Sequence, residues 1–126
     1  MITVIGGSGG AGGGGGNVPQ IAFLINDGTI GTNVAPILRV PDYRSVTKCV
    51  VTVKNSDSVV DLEFDILQNL VSVFSTRPTI PAGTAGFTES FFTTLTSSPL
   101  PIAPNDQFII SIINGSAGWL FTTTLE

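Results

Sequence analysis

From Gln20 onward, apolar residues recur at every second position in short runs, and each run is closed by residues that turn the backbone. In Val59–Leu67 the side chains of Val60, Leu62, Phe64 and Ile66 face one way and Asp61, Glu63 and Asp65 the other, as in a strand with one buried face. Val46–Lys54 alternates likewise, with Thr47, Cys49, Val51 and Val53 on one face and Lys48 and Lys54 on the other. Gln20–Asn26, Val34–Val40 and Phe87–Thr96 predict further strands. Pro36 suggests an edge position or an irregular start for the second of these, because proline has no amide proton to donate. Gln68–Arg77 is less regular, Pro78–Pro81 reads as extended backbone, and Ser97–Asp106 as a proline-rich connection. Gln107–Asn114 is so apolar that both of its faces should be covered. Gly115–Gly118 reads as a hairpin loop into Trp119–Leu125, which would make the last two strands antiparallel neighbours.

Helical periodicity is absent, and the strand spacing predicts an all-β fold, an antiparallel two-sheet β-sandwich of jelly-roll type. That body covers residues 19–126, one domain with one core. Ahead of it, residues 1–18 form an extended Gly-rich N-terminal arm with an apolar tip. Nine of the chain's 15 glycines lie between Gly6 and Gly16, where no side chain can offset the entropy of ordering the backbone. The run therefore reads as a flexible tether for Ile2, Val4 and Ile5, and an ordered arm would point to something outside the domain holding it. Gly7-Ser8-Gly9-Gly10-Ala11-Gly12 does match the dinucleotide fingerprint G-x-G-x-x-G. The helix which that motif must open cannot form through four more glycines and Asn17-Val18-Pro19, so no cofactor is expected.

Charge narrows the partners. Charged residues are only 11% of the chain and the net charge is −4, which disfavours nucleic acid and anionic membrane as partners. Without histidine, Ser-His-Asp and Cys-His catalysis are excluded, and Cys49, flanked by apolar residues, reads as a buried filler. Asp61, Glu63 and Asp65 share a strand face and have the chemistry for a hard cation or for glycoside hydrolysis. Residues on one strand diverge little, so a solvated face is the plainer reading, and a glycosidase using Asp61 and Asp65 ranks last. Phe91 and Phe92 face opposite sides of their strand, which makes one of them an interface candidate; Phe92 and Trp119 are taken as partner-contacting residues. Tyr43, Trp119 and the phenylalanines could alternatively make a sugar-binding platform.

Several segments carry a likeness: the strand into Asn26-Asp27-Gly28, Ile37-Leu38-Arg39-Val40-Pro41, Val59–Ile66, Pro78-Thr79-Ile80, and Pro104-Asn105-Asp106-Gln107 with the strand that follows. In this order they resemble a jelly-roll module of tailed-bacteriophage virion proteins, found in capsid cement or decoration proteins and in tail-fibre proteins. With only an arm ahead of the module, the resemblance implies a non-enzymatic cement protein on the capsid exterior, made in the host cytoplasm and assembled as a homotrimer. Its partner would be the major capsid protein, contacted by the body and by Ile2, Val4 and Ile5 on the Gly6–Gly16 tether. The alternative is a tail-fibre or adaptor module that binds host surface glycan.

Overall fold

The computed structural model describes residues 2–5, 20–32, 34, 35 and 37–126. Twelve strands follow one another, and no helix occurs among the described residues. They are β1 (Ile2–Ile5), β2 (Ile21–Ile25), β3 (Leu38–Arg39), β4 (Arg44–Val46), β5 (Cys49–Asn55) and β6 (Leu62–Gln68), then β7 (Val71–Ser72), β8 (Thr79–Ile80), β9 (Glu89–Phe92), β10 (Leu100–Ile102), β11 (Gln107–Asn114) and β12 (Leu120–Leu125).

Every pairing is antiparallel. One sheet has the order β1-β2-β12-β5-β9, the other β3-β11-β6-β7 with β8 also on β6, and β4 and β10 make a small third sheet. The two large sheets meet through their apolar alternate positions. Phe23, Ile25, Val51, Val53 and Phe121 from one, with Leu62, Phe64, Ile66, Phe108, Ile110 and Ile112 from the other, are all buried in one core cluster. Phe64 and Phe121 touch across the sandwich, with ring centroids 5.4 Å apart. The alternation read in Val59–Leu67 thus holds in its apolar half, because Leu62, Phe64 and Ile66 are completely buried.

Two expectations are corrected. β11 and β12 are not neighbours: the first pairs with β6 and β3, the second with β2 and β5, so the chain arches from one sheet to the other between them. The arch sits close against the loop after β2, where glycine on both sides lets the backbones touch, and it does not bend a hairpin. A Cβ on Gly28 would lie 2.6 Å from the Cβ of Trp119, and one on Gly115 would run into the Gly28 carbonyl. Nor are both faces of β11 covered throughout, since Ile113 is exposed although Phe108, Ile110, Ile112 and Ser111 are buried. Pairing with β10 was likewise hidden inside the proline-rich Ser97–Asp106, where Leu100–Ile102 runs along Arg44–Val46.

Candidate functional site

The five-stranded sheet has two contrasting edges. At one edge β1 pairs with β2 of the same chain, Ile2 opposite Ile25, Thr3 opposite Leu24, Val4 opposite Phe23 and Ile5 opposite Ala22. The sequence pointed to a neighbour as the holder of this tip; here the holder is the molecule's own β2, whose outer hydrogen-bonding row is otherwise an open acceptor. Gly6 and Gly16 lie outside the described residues.

The opposite edge is β9, where the side-chain parity decides which phenylalanine faces out. Phe92 stands opposite Cys49 in the inward row and packs against the core, whereas Phe91 stands opposite Val50 and is 57% exposed. The outward candidate is therefore Phe91, not Phe92. Lys48 places its ammonium 5.2 Å from the Phe91 ring centroid, a cation–π contact that leaves the other ring face open. Phe87, just before β9, is also exposed and adopts φ of 63°, a left-handed conformation that bulky residues rarely take. Its amide donates to the Val53 carbonyl at 2.6 Å while the Val53 amide donates to Thr88, so backbone bonds fix the position.

Trp119 is no surface contact. It is fully buried, and its indole N–H donates to the Val60 carbonyl at 2.7 Å, which satisfies its one polar atom inside the core. Around it, Asp57 organises the connecting loops, accepting from the Val59 and Val60 amides and from the Ser116 hydroxyl. These bonds, the Ser116 one foremost, hold the Asp57 carboxyl below its ordinary pKa. At the other end of the sandwich Asp106 does the same work. It accepts from the Ala103 amide, the main cause of its lowered pKa, and from the side chains of Asn69 and Gln68. That network supports the β6–β7 turn, where Asn69 and Leu70 have φ of 50° and 70° and Leu70 is exposed.

The carboxylate row departs from a solvated face. Asp61 accepts from the Ala82 amide, but Asp65 is only 5% exposed. One oxygen of Asp65 accepts from the Ser72 hydroxyl at 2.6 Å and the other from Arg77 Nε at 3.3 Å, while Arg77 Nη1 donates to Glu63 at 3.1 Å. A guanidinium twelve residues along the chain thus covers the carboxylate that alternation would leave in water. Cys49 is buried as expected, with Sγ 3.1 Å from the Thr123 hydroxyl. Burial pushes its pKa up to about 12, so it stays a thiol at neutral pH.

No protein-family model, curated protein or solved structure matches the chain. The functional reading therefore rests on the geometry above.

Proposed function

We propose that this chain is a non-enzymatic structural protein of a bacteriophage virion, a cement or decoration protein that binds the capsid exterior and staples neighbouring major capsid subunits. The observation that carries the reading is the five-stranded sheet, which has an attachment feature at each edge. β1, an uncharged Ile-Thr-Val-Ile strand, lies at one edge and the outward Phe91 with Phe87 at the other. A body that grips one neighbour through strand addition and another through aromatic contacts would bridge them.

The strand order supports a jelly-roll reading of the sandwich. β2-β12-β5-β9 opposes β3-β11-β6-β7/β8, so the chain changes sheet between successive principal strands except from β6 to β7 and β8, which stay together, an arrangement used by viral capsid domains. β1 is then an addition outside the eight-strand pattern, joined to it through the glycine-rich stretch. Three copies assembled around one capsid axis would multiply weak individual contacts through avidity.

Binding to undecorated capsids tests this directly. A chain beginning at Asn17 and a Phe87→Ser/Phe91→Ser variant should each retain the fold and bind much more weakly than the full chain. Equal binding by all three would sink the proposal, as would imaging that puts the protein at the tail tip, where the glycan-adaptor alternative belongs.

A further inference from the structure

The strand flanking β6 on its outer side is broken in the middle. β7 pairs with Leu67 and Gln68, β8 with Leu62 and Glu63, and the intervening segment turns away. It crosses to the chain beyond β9, where Phe74 bridges Leu95, the Ser75 amide donates to the Thr94 carbonyl and the Thr96 amide to the Val73 carbonyl. The departure opens a cleft of about 400 Å3 between β6 at Glu63 and the diverted segment, with Ser72, Phe74, Thr76, Arg77 and Thr79 among its lining residues. This volume lies at the small end of the range of ligand pockets, enough for one or two sugar rings.

We propose that this cleft binds a neutral saccharide, gripped at a pair of adjacent hydroxyls by Arg77 and Glu63. Arg77 commits Nε to Asp65 and Nη1 to one oxygen of Glu63, which leaves Nη2 as a donor and the second Glu63 oxygen as an acceptor. A donor beside an acceptor is what vicinal hydroxyls require, one accepting from the guanidinium and its neighbour donating to the carboxylate. Thr76 and Thr79, both exposed, add hydroxyls at the rim, and the floor is closed by Ser72, held by Asp65, and by Phe74, whose ring is buried in the core. The grip is held in place beforehand: buried Asp65 anchors both Arg77 and Ser72, and the Ser72 hydroxyl also accepts from the Phe74 amide. Two carboxylates against one guanidinium leave the cluster with one net negative charge, which repels anionic ligands. This inference goes beyond the attachment role and does not depend on it.

The test is a titration of the isotope-labelled full chain with methyl glycosides of glucose, galactose, mannose and N-acetylglucosamine at millimolar concentrations, followed by amide NMR. At least one should give saturable shifts centred on the amides of Ser72, Ser75, Thr76, Arg77 and Thr79. Glu63→Gln, which keeps the side-chain shape, should weaken that binding about tenfold or more. Thr76→Trp, a change at an exposed position that fills the cleft, should abolish it with the thermal midpoint unchanged. Absence of saturable shifts with every one of these sugars, shifts centred elsewhere, or full binding by Thr76→Trp would each overturn the proposal.

Discussion

The two large sheets share one core but turn different chemistry outward. On the five-stranded sheet the registers align Ala22, Thr124, Val50 and Phe91 in one outward-parity row and Leu24, Thr122, Thr52 and Glu89 in the next, so these rows are uncharged up to Glu89 on β9, and the opposite charge of this face comes from Lys54 at the end of β5 and Lys48 just ahead of it. On the other sheet the outer positions of β6 carry Glu63 and Asp65, and the pair is covered by Arg77 across the broken edge strand. The inward alternation is nearly interchangeable between the sheets, being Val, Ile, Leu and Phe in both. Packing against a common core fixes one parity of each strand and leaves the other free for function. A neutral face suits contact with another protein, and an ion-paired cleft suits a small polar ligand.

Substitutions can break that division. The largest effect belongs to the shared core. Phe64→Ala, which removes the ring touching both Phe121 and Phe74, should cost about 3–5 kcal/mol in denaturant unfolding. On the outer faces the sheets should diverge. Asp65→Ala strips partners from Arg77 and Ser72 and should cost about 1–3 kcal/mol. Thr122→Ala on the neutral face should stay within about 0.5 kcal/mol of the parent. If both cost the same, the contrast between the faces has no energetic content.

At the β6–β7 turn the expected sign is reversed. Leu70→Gly relieves a left-handed backbone at an exposed leucine and should raise stability by up to about 1 kcal/mol, read as a higher thermal midpoint. Acid acts on the loops at the two ends of the sandwich. Asp57 and Asp106 have folded-state pKa values below 3.8, so the folded chain binds fewer protons than the unfolded one near that pH. Their stabilisation is complete above the unfolded carboxylate value near 4 and is lost as pH falls through the lower folded values. Asp57→Asn should flatten part of this acid limb in thermal midpoints measured from neutral pH downward. The smallest perturbation sits in the neutral sheet. Cys49 should resist thiol reagents in the native protein at pH 8 and react on unfolding, since its pKa is raised to about 12.

Alternation located β2, β5, β6, β11 and β12 because each has a parity that must face a core. It could not say which sheet each strand joins. A hairpin and an arch both put Ile112 and Phe121 toward the same interior; the pairing of β11 with β3 and β6 and of β12 with β2 and β5 distinguishes them, and Gly28 packs against Gly115 and Trp119 where the arch is seated. The same limit governed the aromatic contacts. Parity separated Phe91 from Phe92 without saying which was outside, and an aromatic count could not show that Trp119 finds its hydrogen-bond partner at Val60. Asp65 was misread because its partner Arg77 lies beyond a turn and a strand break, past the reach of any local pattern. One available signal was Arg77 itself, a lone cation in an otherwise uncharged stretch from Gln68 to Gly86.

The strand β1 covers the row of β2 main-chain groups that would otherwise be the margin of its sheet. Whenever it departs to bind elsewhere, it leaves behind a vacancy of its own length and register. A molecule with β1 displaced from β2 would be donor and acceptor together, and two such molecules would meet head to tail rather than face to face. Contacts of that kind have no natural end unless the rotation between neighbours closes them into a ring. Copy number would then be set by an angle.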